Sequence, residues 1–520
     1  MDDPAPSRRL VLAKALPWLL AAVPAAAVVW WVSFAGRWPE PTGDRLALRE
    51  SVPSWSWDTL LEPHEGPRHV VAQALHRAAL EIPGATVASV AWIAALLAIL
   101  LALSLGSLLR RSFDLRGLAA PATLLAAGLL VCSPGFGLVW LRGERLGLVL
   151  APLLLVVGLG WLVRIERAPL RFLGVALLAG IAPFCHTHGV LVGFALLPAV
   201  FATARRAASR ATFFWLGLVV AMALAGAWFS LEPIVAHGVS AGRAMWDVQP
   251  IGAFLLDLCE HTGAAWLDLI PGHGLDGVVL GAVSWLLPLV LLFVGDRSQV
   301  SRFRAATWWS CLWFGLALVL WDVLRYDAGP PVGRWREALF GSFFVPVGMV
   351  GLLACRFERS MLRVAFGALL VLGVQDWVLG LEDLRIARQL VLQQEAVLAL
   401  PRDWHPDLAA AQDRLGVIAA KELRAKLWVP AEEPAPALPT SGGEVAERGE
   451  LVSSLRTPAP VVLLWCASGV DGVPQVLAVQ LPDFRRYGRA VAWERVGAPS
   501  VAGFGVLPQP LRLAAPFRAN

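Results

Sequence analysis

Charge-free apolar stretches alternate with short charged ones from the N-terminus to about residue 380. A run of ~18 apolar residues is long enough to cross ~30 Å of hydrocarbon as a helix. On that basis spans are predicted over 15–34, 86–109, 118–133, 146–163, 211–231, 277–295, 305–321, 338–355 and 362–380, with two half-length segments at 172–185 and 189–204, eleven in all. The first run follows Arg8, Arg9 and Lys14, as a signal peptide would. It continues to Phe34 through the Trp30-Trp31 pair, and no small-x-small cleavage site follows directly, so it reads as an uncleaved first span.

Positive charge orients the spans. Arg8/Arg9/Lys14, Arg110/Arg111/Arg116, Arg164/Arg167/Arg171, Arg205/Arg206/Arg210, Arg297/Arg302/Arg304 and Arg356/Arg359/Arg363 all fall on one side of this count. That side is the cytoplasm, where Lys and Arg concentrate, which puts the N-terminus inside. The agreement also supports both half-length segments, because deleting either would flip every later loop. The other face receives 36–85, 134–145, the turn Cys185-His186-Thr187-His188-Gly189, 232–276, 322–337 and everything after about 381. Every histidine lies on that outer side.

Within 232–276, the stretch IGAFLLDLCEHTGAAWLDLI carries Asp257, Glu260, His261 and Asp268 on an apolar background. This predicts an amphipathic interfacial helix rather than a span, which would bury four ionisable groups at ~2.5–3.5 kcal/mol for each charged one. After 381, LEDLRIARQLVLQQEAVLAL and HPDLAAAQDRLGVIAAKELRAKLW are helical in period, and PAEEPAPALPTSGGEVAERGE reads as a linker. VVLLWCA and QVLAVQL flank a turn at Asp471-Gly472 and read as paired strands. The expected organisation is a transmembrane domain 1–380, a helical segment 381–430, a linker 431–450 and a small β-rich domain 451–520. The fold class is thus an all-α polytopic membrane protein with a small extracytoplasmic C-terminal α+β domain.

Composition agrees: 57% hydrophobic and 16% charged residues exclude an ordinary soluble domain, where about 25% are charged. A net charge of +5 sits in clusters at span ends, a topology signal that gives no reason to expect nucleic acid. Six scattered cysteines lack metal spacing and imply no disulfide framework. Walker, GxSxG, HExxH and Rossmann motifs are absent.

Chemistry-bearing residues gather in the outer loops. Asp44, past the first span, could serve as a general base, hold a divalent metal ion, or be a solvated loop carboxylate. His64, Glu65, Arg68 and His69 lead into a helix on which His69, Gln73, His76 and Arg77 share a polar face. Such a face suits capture of a phosphate-bearing headgroup, or is a surface helix with snorkelling cations. His186 and His188, between two half-length helices, could donate two metal ligands or line an outer-leaflet cavity. Arg325 and Arg336, in the charged stretch Asp322–Glu337, have the fork geometry that binds phosphate, or anchor the chain at the membrane interface.

These features resemble a group of bacterial polytopic membrane proteins related to the GT-C glycosyltransferases. In that group an acidic element after the first span precedes a tract like W-x-x-L-x-x-x-H-N-E-H-R. Trp57 through Arg68 falls on it, with Trp57, Leu60, His64 and Arg68 matching, the carboxylate displaced to Glu65, and Pro67 in place of the second histidine. Cys132-Ser133-Pro134 through Trp140-Leu141-Arg142-Gly143 resembles a second tract, F-S-P-x-x-x-x-x-W-L-W-G. Cys185-His186-Thr187-His188-Gly189-Val190 echoes a third, S-x-x-N-G-L. The resemblance covers roughly 36–380 and implies transfer of a sugar from a polyprenyl-phosphate donor at the outer face of the bacterial inner membrane. It makes Asp44 the general base. Arg68 with His64, and Arg325 or Arg336, would neutralise the lipid phosphate. The implied partners are a lipid-linked sugar donor and membrane lipids. A transporter or flippase of a lipid-linked or small polar solute, or an inactive membrane scaffold, is the alternative.

Overall fold

The computed structural model describes residues 8–35, 68–80, 87–141, 146–164, 168–207, 210–236, 251–267, 275–293, 299–325, 340–356, 364, 366–378, 380–381, 426–427, 461–467, 474–480 and 503–506. They belong to two compact units, one holding the described helices and one the described strands.

A helix lies over each predicted span. In chain order these are α1 (Arg8–Trp30), α3 (Val87–Ser112), α4 (Ala119–Val131), α6 (Leu146–Arg164), α7 (Ala168–Ile181), α8 (Gly189–Ala207), α9 (Arg210–Ala236), α11 (Leu275–Phe293), α12 (Gln299–Arg325), α13 (Phe344–Arg356) and α14 (Phe366–Val378). Between them come α2 (Val70–Leu80), the short α5 (Gly137–Leu141) and α10 (Ile251–Leu267). Five segments are long and apolar enough to cross a membrane: Ala15–Ser33, Val90–Ser112, Ala119–Phe136, Leu146–Val163 and Phe213–Glu232. The third and fourth, each 67% buried, are central, whereas the first at 17% and the last at 28% are peripheral.

The distribution of side chains is that of a protein in lipid. Large apolar residues point outward, Phe213 at 74% exposure and Leu286 at 62%, while Thr123, Ser230, Thr262, Ser284 and Ser310 are fully buried. Apolar surface on that scale must be covered, and lipid is what covers it on apolar helices of this length. Hydrophobic burial supplies little drive between helices there, so close approach through small residues takes over. On α12 and α13, Gly315 lies against Val345 and Gly348 against Leu312, with no room for a methyl group at either glycine.

Loops assigned to the same face meet. At the predicted outer end, Trp31 stacks on Trp140 with centroids 5.8 Å apart and lies 5.5 Å from Trp377. Ser133 donates to the Asp376 carbonyl at 3.3 Å, and Trp377 Nε1 donates to the Leu129 carbonyl at 2.7 Å. Phe136 meets Phe340 edge-on at 5.2 Å. At the other end Phe113 stacks on Trp308 at 5.5 Å and meets Phe366 at 6.1 Å. Residues flanking the first, third, tenth and eleventh predicted spans thus converge at one end, and those flanking the second, ninth and eleventh at the other.

The stretch expected to lie at the interface forms α10, which instead packs antiparallel along the predicted span α11. Gly263 lies under the Gly277 carbonyl and Gly281 under that of Cys259. Trp266 Nε1 donates to Ser284 Oγ at 2.6 Å, and Trp285 Nε1 to Thr262 Oγ1 at 3.0 Å. Ile251, at 76% exposure, and Leu255, at 52%, face outward. His261 donates from Nδ1 to the Asp257 carbonyl at 2.7 Å. Burial lowers its pKa below the ordinary 6.5, offset in part by that hydrogen bond and by the charges of Asp257 and Glu260.

In the second unit the strands are β1 (Lys426–Leu427), β2 (Val461–Ala467), β3 (Pro474–Gln480) and β4 (Gly503–Val506), ordered β1-β4-β2-β3 and all antiparallel. β2 and β3 pair in register from Val461↔Gln480 to Ala467↔Pro474. Lys426 and Leu427, read from sequence as the end of a helix, instead pair with Gly505 and Phe504. The sheet claims their backbone groups, overriding a helical period that tertiary context outweighs. The remainder of the predicted helical segment, the linker and the Asp471-Gly472 turn lie outside the described residues.

Because the folded-state pKa of His261 is depressed, its contribution to stability is complete above pH 6.5 and is lost as pH falls through the lowered value. Thermal melts in detergent from pH 7.5 to 5 should show a loss that His261→Gln reduces; identical pH profiles would remove the assignment.

Candidate functional site

The site is assembled on an interrupted helix. α7 ends at Ile181, a 3₁₀ turn spans Ala182–Phe184, and α8 begins at Gly189. Pro183 has no N–H to continue the α-helical ladder, which is why α7 stops here. The freed groups are satisfied locally: Cys185 N–H donates to the Ala182 carbonyl, Gly189 N–H to His186, Val190 N–H to Thr187 and Leu191 N–H to His188. A Cβ on Gly189 would collide with the Ala182 carbonyl, and one on Gly147 at the start of α6 would collide with that of Cys185. These two glycines let the backbones close around the turn.

Ser230 on α9 ties three segments together. Its hydroxyl donates to the Pro183 carbonyl at 2.9 Å, and its own carbonyl accepts from Arg68 N–H at 3.1 Å. Arg68 clamps the same end of α9 with its guanidinium. Nη1 donates to the Phe229 carbonyl at 3.0 Å, and Nη2 pairs with Glu232 at 2.9 Å. The first outer loop is thereby held against the turn at the point where it becomes α2.

That placement puts His69 over the turn. Its Nε2 lies 3.4 Å from Thr187 Oγ1, and its ring stacks on His186 with centroids 5.2 Å apart. His186 meets His188 edge-on at 4.5 Å. The His188 N–H donates to His186 Nδ1 at 3.2 Å, so neutral His186 carries its proton on Nε2. His69 and His186 are partly exposed, whereas Thr187 and His188 are buried. The row therefore runs from surface to interior. Rings of this kind can donate to an anion or pass a proton along the row.

On α2 the polar face turns inward. Gln73, His76 and Arg77, at 7, 4 and 4% exposure, are packed against the bundle and do not snorkel at a surface. Sequence alone allowed either direction; the Arg68 clamp decides it.

Of the predicted site residues, Arg68, His69, His186 and His188 are brought together. Asp44, His64, Glu65 and Arg336 lie outside the described residues, as does the side chain of Arg325 at the end of α12. Among the described residues no three His, Cys, Asp or Glu groups are disposed to hold a metal ion. Sequence reasoning missed Glu232 and Ser230. Glu232 had a signal, as the lone carboxylate closing the apolar run of α9.

No protein-family model, no curated protein and no solved structure matches this chain.

Two substitutions test the assembly. Gly189→Ala should cost about 1–3 kcal/mol through overpacking, read as a lower melting midpoint, while Gly217→Ala, with nothing within 4 Å of the new methyl group, should not. Arg68→Ala should speed hydrogen exchange at the backbone amide of position 68 far more than Glu232→Gln does. The half-exposed ion pair alone is worth no more than about 1 kcal/mol, and the clamp on the Phe229 carbonyl survives the second change.

Proposed function

We propose that this chain is an integral membrane glycosyltransferase that takes a sugar from a polyprenyl-phosphate donor at the outer face of a bacterial inner membrane. In this reading all eleven helices cross, the N-terminus is cytoplasmic, and the C-terminal helical and β-rich segments form a small extracytoplasmic domain. The observation that carries it is the meeting of Arg68 and His69 from the first loop with His186 and His188 at the end opposite Phe113 and Trp308. Two of the three tracts that resemble the GT-C group contribute residues to that meeting. The middle tract builds the Trp140 stack at the same end of the bundle.

The chemistry follows from residue types. The acceptor hydroxyl loses a proton to Asp44 as its oxygen attacks the sugar's anomeric carbon, and the lipid phosphate departs as an anion. That anion needs hydrogen-bond donors at the leaving oxygen. His69 and His186 offer ring nitrogens for this, with His64, Arg325 and Arg336 as further donors and Glu65 as an acceptor for substrate hydroxyls. Arg68 already holds Glu232 at 2.9 Å, so a phosphate reaching it must compete with that carboxylate. Its main work in this reading is to set His69 in place.

Transfer from a radiolabelled polyprenyl-phosphate sugar in isolated membranes should fall about 10²–10⁴-fold in Asp44→Asn, the loss expected of a missing general base. Undiminished transfer by that variant would refute the assignment. Movement of a lipid-linked sugar across proteoliposomes without transfer would favour a flippase instead.

A further inference from the structure

At the bundle end opposite the histidines, α3 and α6 do not close against each other. A cavity of about 70 Å³ lies between them, lined by Ser104, Leu108 and Arg111 of α3 and by Val156, Gly160 and Trp161 of α6. Ser104, Leu108 and Arg111 follow one stripe of their helix. Gly160 gives the fissure its depth, since a methyl group added there would meet nothing within 4 Å. Trp161 is a fixed wall: its ring occupies the space where Gly174 of α7 would carry a side chain. The walls are mostly aliphatic and aromatic, with Ser104 and Arg111 as the polar members.

A cation stands at the mouth. Arg111 is exposed in the last turn of α3, and its guanidinium has no ion-pair partner among the described residues. Asp114, three residues on, is bridged by Arg116 at 3.3 Å. The Arg110/Arg111/Arg116 loop is on the predicted cytoplasmic side, where the leaflet carries anionic lipid and a fissure at this depth opens onto acyl chains. A guanidinium can take a phosphate through two parallel hydrogen bonds.

We propose that this fissure binds one anionic phospholipid of the cytoplasmic leaflet, the first few methylenes of an acyl chain seated between α3 and α6 and the phosphate on Arg111. The proposal rests on the helices crossing a membrane and is independent of sugar transfer. To test it, the full-length protein is equilibrated in detergent with equimolar phosphatidylglycerol and phosphatidylcholine, washed, and its retained lipid counted by mass spectrometry. The wild type should retain phosphatidylglycerol over phosphatidylcholine by about fivefold, the size expected of one basic residue at an anionic surface. Arg111→Ala should keep lipid but lose the preference. Gly160→Leu should fill the fissure and lose both lipids; should it fail to elute as a single species, Ser104→Leu fills it from the other wall with the same expected loss. Asp44→Asn should retain lipid as the wild type does, which separates this site from the transfer site. Equal retention and equal preference in the wild type and the fissure variants would mean adventitious annular lipid only, and would overturn the proposal.

Discussion

The fold around the outer end depends on satisfying the backbone where a helix breaks inside an apolar body. An exposed amide or carbonyl in hydrocarbon costs several kcal/mol, so irregular backbone survives there only when protein groups take up its hydrogen bonds. The turn between α7 and α8 meets that demand with its own i+3 bonds and with one side chain from elsewhere, Ser230. Because the Ser230 carbonyl also accepts from Arg68 N–H, one buried residue closes the helix break and docks the loop before α2. Replacing it by alanine would leave the Pro183 carbonyl short of a donor, while the Arg68 contact, made to backbone, could persist. The order of dependence is therefore turn first, loop second and histidine row third.

Much of the helical architecture was legible in sequence, and the reason is the solvent. In lipid the length of an apolar run and the charges at its ends are set by the thickness and polarity of the membrane, which local sequence records directly. The half-length pair expected from the charge parity of the later loops is present as the helices α7 and α8. The site was legible in part for a related reason. Histidines and arginines are conspicuous where polar groups are scarce, so Arg68, His69, His186 and His188 stood out.

What was not legible is which polar group each would choose. Arg68 and Glu232 are 164 positions apart, and nothing in either neighbourhood specifies the other. The inward turn of Gln73, His76 and Arg77 was equally hidden, since a polar stripe on a short helix reads the same whether it faces headgroups or protein. The strand at Lys426–Leu427 illustrates the same limit, a local period overruled by distant partners.

The burial of Arg77 gives the α2 arrangement a cost that bears on function. A guanidinium held at 4% exposure must be compensated by the groups around it. Such groups are retained at positions where apolar packing would serve stability as well or better, so burial of Gln73, His76 and Arg77 along one face is not explained by stability alone. A transporter would need such a polar file to continue toward the other end of the bundle. Of the described charged residues near that end, Arg110, Arg111, Asp114 and Arg116 are exposed at its rim and Arg171 and Arg304 are partly exposed, and Phe113 packs on Trp308 there. Among the described residues the buried ionisable side chains of the outer end, His76, Arg77 and His188, have hydroxyls rather than charges as their buried counterparts near the other end, at Ser112, Thr203, Thr307 and Ser310.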